Sequence, residues 1–203
     1  MNNIIIIGNG GHAISCIDVI EAEKKFKILG LVTAKHAVKN QKIKYSSIGN
    51  DVDLKKLFKK TKFAFIGIGF IKDSDKRFNL FKKLKKIGFY LPVVTSPTSY
   101  KSNQSTVDEG TILMHNSFVN SQVKIGKNCI VNTGSIIEHE AIIGDNVHIS
   151  TSAVVNGAVK IGSGSFIGSN SVIKEGVKIG KDCIVSAGSF LRRDLKSGTK
   201  FYK

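Results

Sequence analysis

The sequence predicts two domains: an α/β N-terminal domain around a small parallel sheet, then a parallel β-helix. Three observations carry this prediction. From Val107 through Val119, Ile137, Val155 and Ile173 to Leu191, every sixth residue is aliphatic without a miss. A six-residue period fits neither an α-helix nor an alternating strand and is the mark of a β-helix. Inside it, Gly126, Gly144, Gly162 and Gly180 recur every eighteen residues, so three hexapeptides close one coil and the glycines stack at one corner. Ahead of residue 97, strand-like and helix-like runs alternate, as in a parallel sheet with crossover helices.

Taken in order, residues 2–7 form an Ile-rich run suited to a buried parallel strand. The turn Gly8-Asn9-Gly10-Gly11-His12 leads to a helix ending near Lys24, and a second strand spans 27–32. An ill-defined stretch precedes a short helix at 51–60, a third strand at 62–68, a helix at 74–87 and a fourth strand at 90–94. This is a small Rossmann-like sheet. Thr95-Ser96-Pro97-Thr98 marks the junction, giving domains at 1–97 and 98–203. In the second domain, Asn128, Asn146, Gly164 and Asp182 are types that tolerate positive φ in the turns. Slim residues such as Cys129, Ala141, Ala153 and Cys183 fall four positions after an aliphatic, as a narrow triangular prism requires.

The net charge is +16, unevenly placed: residues 1–100 hold 19 Lys/Arg against 7 Asp/Glu, and residues 101–203 hold 12 against 8. A basic surface attracts phosphates. The lysines, however, are spread over helix faces (Lys55, Lys56, Lys59, Lys60; Lys82, Lys83, Lys85, Lys86) without aromatic interleaving, so nucleic acid is not an expected partner. No signal peptide and no bilayer-length apolar run is visible, and the expectation is a cytoplasmic chain with no membrane partner. Cys16, Cys129 and Cys183 lack metal or CxxC spacing, and the latter two fill packing slots.

Gly8-x-Gly10-x-x-Ala13 follows a strand and opens a helix, the setting in which backbone N–H groups cradle phosphate. A tight turn alone also explains the glycines. No acid ends the second strand (Leu31-Val32-Thr33), and the domain is half the length of a dinucleotide fold, which argues against NAD. A mononucleotide or nucleotide-sugar pocket fits better.

At Glu138-His139-Glu140 an inward Ile137 is followed by three polar residues, whereas neighbouring hexapeptides carry Gly, Lys, Asn or Ser there. An imidazole beside carboxylates suits a general base, and a solvated turn is the bland alternative. His148 lies nine residues on, half a coil, and hence on another face. The two meet only if a neighbouring prism supplies one of them, which points to a cyclic trimer. A zinc hydratase would need a HxxxxH pair, which is missing, so no metal is expected.

The strings Ile-Ile-Gly8-Asn-Gly-Gly-His12, Phe65-Ile-Gly67-Ile-Gly69 with Arg77, and Asn132-Thr133 through Glu138-His139-Glu140 to Gly144 resemble the NeuD/PglD-like sugar O-/N-acetyltransferases. The resemblance implies a left-handed β-helix, a homotrimer and acetyl-CoA as co-substrate. It makes His139 the general base and Glu140 its support, and gives Asn132, His148, Gly157 and Ser169 to the coenzyme side of the site. Gly8, Gly10, Gly11, His12 and Gly67 go to the sugar-nucleotide side. The implied activity is N-acetylation of a UDP- or GDP-linked 4-amino-4,6-dideoxy sugar in surface-glycan biosynthesis. The alternatives are O-acetylation of a sialic-acid-like sugar and a non-enzymatic trimeric scaffold. Two departures from the family pattern stand out: Val32-Thr33 where an acid often contacts the nucleobase, and a tail ending Lys200-Phe201-Tyr202-Lys203 in place of a Gly-x-Pro-Ala-Lys-like end.

Overall fold

A computed structural model describes residues 1–34 and 42–202. Its N-terminal domain is built on β1 (Asn2–Ile7), whose Ile4, Ile5 and Ile6 are fully buried. A strand walled on both sides has no polar face to alternate with, which accounts for the unbroken isoleucines. After α1 (Gly11–Glu23) come β2 (Phe26–Val32), β3 (Ser47–Gly49), α2 (Leu54–Leu57), β4 (Phe63–Ile66) and α3 (Asp75–Ile87). The strands are parallel in the order β3-β2-β1-β4. Helices α2 and α3 pack on one side of the sheet through Leu54, Leu57, Leu80, Phe81 and Leu84. Helix α3 stops at Gly88, whose φ of 107° places it in the left-handed region while its N–H closes the last turn onto Leu84 and Lys85.

The expected fourth strand at 90–94 does not form. Tyr90 makes a single bridge to Phe63, and Val94–Thr95 pairs instead with Ile112–Leu113 in the second domain. Pro92 interrupts the run and has no N–H to give a ladder. The stretch left undefined by sequence supplies the edge strand β3. The helix expected at 51–60 shrinks to the single turn of α2.

The second domain is a left-handed parallel β-helix, triangular in section. Among the described residues its faces hold seven, six and five two-residue strands, stacked in parallel every eighteen residues. The inward aliphatics and slim residues form one continuous core from Leu113 to Leu195. Pairing runs from Val94 to Phe201, so the C-terminal tail adds a rung (Lys200–Phe201 on Ile184–Val185) beyond the regular repeat. The turns keep a second six-residue clock: Gly110, Asn116, Gln122, Asn128, Gly134, Glu140, Asn146, Ser152, Ala158, Gly164, Asn170, Gly176, Asp182 and Gly188 all have positive φ. A coil corner tighter than an extended chain requires that conformation, which explains the Asn, Asp and Gly in the sequence.

The inner rule is the same on all faces, but the outward rows differ. One reads Val94, Ile112, Ile130, His148, Phe166, Ile184. Its apolar members merge with Ala13, Cys16, Ile17 and Ile20 of α1 and with Ile4 and Ile6 of β1 into one core. This docked face therefore stands where a second helical layer would cover the sheet. The next row, Tyr100, Phe118, Ile136, Val154, Val172 and Phe190, is apolar throughout and no described part of the chain covers it. The third reads Thr106, Lys124, Ile142, Lys160 and Lys178 and is a basic, solvent-facing wall.

Arg77 of α3 fastens the two domains. It is fully buried, and Nη1 donates to the carbonyls of Ile66 (2.7 Å) and Ile68 (2.8 Å) at the end of β4. Nε donates to Asn128 O (3.2 Å) and Nη2 to Gly110 O (3.4 Å) on the prism. Arg77→Met should lower the unfolding free energy by at least about 3 kcal/mol, since buried carbonyls lose their donor. Urea denaturation measures this, and unchanged stability would remove Arg77 from that role.

Candidate active site

Two recesses bring the sequence-predicted residues into view. The first, a cavity of about 910 Å³, opens at the carboxyl ends of β1, β2 and β4, where open α/β sheets bind ligands. Gly8 has φ of 117°, and a Cβ there would lie 3.0 Å from Ile68 Cγ1 and 3.1 Å from Gly67 O. Gly67 in turn lets α1 approach β4, since its Cβ would fall 3.0 Å from Ala13 Cβ. Gly10 and Gly11 face open space at the start of α1, which has no side-chain cap. Their bare backbone and the helix N-terminus present a positive, hydrogen-donating surface to the cavity.

His12 and His148 wall the inner end, their ring centres 6.5 Å apart. His148 Nδ1 lies 2.7 Å from Phe70 O, and Nε2 lies 3.2 Å from Asn132 Nδ2. Because Asn132 Oδ1 accepts from Thr133 N–H, its Nδ2 is the donor to His148. Nε2 is thus the acceptor, and Nδ1–H donates to Phe70 O, which fixes the neutral tautomer. Burial is the main cause that pushes His148 down to about 4; the Phe70 bond opposes it and the Arg77 charge adds to it. His12 is pushed down to about 3 by burial first, then by Arg77 and His148. Its Nε2 is buried and has no partner among the described residues.

The second recess, about 640 Å³, runs along the corner between the apolar and basic faces and is lined by Glu138, His139, Asn156, Gly157 and Glu175. His139 is 59 % exposed, with Nδ1 3.4 Å from Glu140 Oε2. Its ring rests on Gly157, where a Cβ would come within 2.6 Å of Cε1. Asn120 Nδ2 donates to Glu138, and Ala158 N–H to the His139 carbonyl (2.9 Å). The imidazole is therefore presented outward over bare backbone with an acid beside it.

The remaining expected residues sit elsewhere in the chain. Asn132 and Ser169 occupy the corner between the docked and apolar faces, where Ser169 Oγ meets Ser150 Oγ at 2.9 Å. His148 joins the glycine-loop cavity, away from His139, as the half-coil spacing requires. Sequence reading passed over Phe70, Asp51, Lys76 and Lys83, all of which line that cavity. For His148 a signal existed: it is the lone polar residue in the outward row Val94, Ile112, Ile130, His148, Phe166, Ile184. All three cysteines are buried, and burial pushes Cys16 and Cys129 up to about 12, so neither is a thiolate nucleophile.

The comparisons with known proteins define the class: the protein is an acyltransferase built on hexapeptide repeats. Residues 3–84 match the PglD N-terminal domain and residues 158–193 the hexapeptide repeat of succinyl-transferase. Both matches, and the solved structures below, agree with the resemblance to the NeuD/PglD-like sugar acetyltransferases. It is similar to PerB from Caulobacter crescentus, solved with CoA and GDP-perosamine, at 29% identity and TM-score 0.91, covering 98% of this chain and 93% of that one. It shares the fold of the PglB acetyltransferase domain from Neisseria gonorrhoeae, solved with acetyl coenzyme A, at 22% identity and TM-score 0.90 over 98% and 95% of the two chains. WeeI from Acinetobacter baumannii follows at 20% identity and TM-score 0.75, over 97% and 94%. No curated protein matches the chain in sequence. Membership of an acyltransferase class removes the non-enzymatic scaffold reading.

The neutral histidines make stability depend on pH. Below pH 6.5 the unfolded chain takes protons that folded His12 and His148 refuse until about 3 and about 4. Stability from this source is complete above pH 6.5 and falls with falling pH, by up to about 1.4 kcal/mol per histidine per pH unit. Urea denaturation at pH 7 and pH 5 measures the loss, which should shrink in His12→Asn and His148→Asn. An identical loss in both variants would contradict the assignment.

Proposed function

We propose that the protein is an acetyl-CoA-dependent N-acetyltransferase acting on a UDP- or GDP-linked 4-amino-4,6-dideoxy sugar, working as a cytoplasmic homotrimer in surface-glycan biosynthesis. The observation that carries this is His139, exposed over Gly157 with Glu140 at 3.4 Å. The sugar amine attacks the thioester carbonyl while His139 accepts its proton, and Glu140 stabilises the imidazolium. A backbone N–H of the coil meets the oxyanion, the C–S bond breaks, and the proton held by His139 passes to the departing sulfur, so coenzyme A leaves as thiol with the amide formed. No acyl-enzyme is needed, in keeping with three buried cysteines. PerB, which is similar over nearly the whole chain, binds CoA and a GDP-linked aminosugar. The glycine-loop cavity favours this reading over O-acetylation of a free sialic-acid-like sugar, which would leave a phosphate-cradling loop without a ligand.

The trimer reading rests on the unpartnered apolar row from Tyr100 to Phe190. The His139 corner lies on one side of that face and the Asn132–Ser169 corner on the other. Packing these faces around a three-fold axis brings His139 of one copy toward Asn132, Ser169 and the glycine-loop cavity of the next. Gly157 then serves the coenzyme arm on the His139 side.

A thiol-release assay with acetyl-CoA and a panel of UDP-, GDP- and dTDP-aminosugars and sialic acids tests the activity. Turnover is expected with a nucleotide-linked aminosugar, and His139→Ala should lose at least about 100-fold. Wild-type turnover in that variant would end the general-base role. Val154→Asp, in the middle of the apolar face, should yield monomers by sedimentation and lose turnover with them. A trimeric variant would move the interface elsewhere.

A further inference from the structure

Among the described residues, the glycine-loop cavity contains one acidic side chain. Asp51, between β3 and α2, lines it together with the Gly8–Gly11 loop, and Oδ2 lies 3.5 Å from Lys83 Nζ of α3. A nucleoside diphosphate carries two or more negative charges, so a carboxylate in its pocket faces a hydrogen-donating part of the ligand, the ribose hydroxyls or the N–H groups of the base. The Lys83 ammonium beside Asp51 suits a base edge that carries an acceptor next to its donors. The topology agrees. Strands β2 and β3 stand on the far side of β1 from β4, and the loop after β4 carries Phe70 onto His148. Asp51, Val32 and Thr33 therefore sit at the end of the cavity remote from the prism, where acetyl transfer takes place.

The donor and acceptor inventory then separates the bases. Guanine presents N1–H and N2–H side by side, a match for the two oxygens of one carboxylate. Uracil and thymine offer a single N–H flanked by two carbonyl oxygens, each of which repels a carboxylate. Adenine offers an amine beside an acceptor nitrogen, and cytosine likewise. We propose that Asp51 reads guanine through N1–H and N2–H, with Lys83 holding the carboxylate in place and meeting the adjoining O6, so that the substrate is a GDP-linked sugar. This rests on the nucleotide-sugar reading of the same cavity and narrows its base.

Free nucleotides test the two separately, by calorimetry on the full chain with GDP, UDP, dTDP, ADP and xanthosine 5′-diphosphate. GDP should bind about tenfold or more tightly than UDP. Xanthine carries a carbonyl in place of the guanine N2 amine. Asp51→Asn, which offers one acceptor and one donor, should therefore lose about tenfold for GDP, gain for xanthosine diphosphate and leave UDP little changed. The side chain is exposed, and a melting temperature equal to wild type confirms that the variant folds. UDP binding as well as GDP, or an unaltered GDP affinity in Asp51→Asn, overturns the guanine assignment while the pocket stands. Binding of no diphosphate overturns the pocket reading and the base assignment together.

Discussion

The buried guanidinium of Arg77 is the contact on which the two-domain arrangement depends. Its donors meet backbone carbonyls only, two at the end of β4 and two on the prism. No carboxylate among the described residues pairs with it. A planar fork with five donors can satisfy carbonyls from three chain segments at once, which a lysine ammonium cannot do with the same geometry. Burial lowers its pKa to about 10, which still leaves it charged at neutral pH. That charge reaches the site. It is the second cause that lowers His12 and a contributor for His148. One side chain thus fixes the loop that carries Phe70 onto His148 and also keeps the imidazoles beside it neutral.

The prism separates folding from function by face. Its interior obeys one rule from end to end, an aliphatic and a slim residue per hexapeptide, and nothing there distinguishes one rung from another. The outward rows carry the differences. One is apolar and covered by α1 and β1, one is apolar and uncovered, and one is basic. His148 breaks the covered row because that rung adjoins the cavity, and its two ring nitrogens are satisfied by Asn132 and Phe70 rather than left to burial. Its geometry is that of a pin between the prism and the glycine-loop domain.

The six-residue and eighteen-residue periods made the β-helix legible because every inward position is held to the same steric demand, so a single sequence repeats the same aliphatic signal at fifteen positions from Val107 to Leu191. The glycine loop was legible for the same kind of reason: Gly8 and Gly67 are forced by close backbone approach. What escaped depends on contacts between segments far apart in sequence. The strand expected at 90–94 looked sound locally and lost to Pro92 and to pairing with Ile112–Leu113. Strand β3 is three residues long with a largely exposed pattern, so no periodicity marks it, and Asp51 beyond it could not be placed at a cavity. The basic composition likewise resolves only in three dimensions, where Lys124, Lys160 and Lys178 stack on one wall while Lys76 and Lys83 turn toward the cavity.

The turn residues carry a last distinction. Two corners of the prism fill their left-handed positions with types suited to it: Asn128, Asn146, Gly164 and Asp182 at one, and Asn116, Gly134, Ser152, Asn170 and Gly188 at the other. The third corner holds Gln122, Glu140 and Ala158 before Gly176. A residue without local hydrogen-bonding capacity or a missing Cβ gives up about 1–2 kcal/mol in this conformation. Three such residues in succession fall at the corner that presents His139, and the middle one is the acid beside its imidazole. The prism tolerates this because rungs above and below determine each turn through Ala158 N–H on the His139 carbonyl and Glu140 N–H on Ser121 O. Local propensity would place Asn or Gly at 140. On the proposed mechanism, the carboxylate held there against that preference is the one of the three whose side chain reaches the imidazole, with Oε2 3.4 Å from His139 Nδ1.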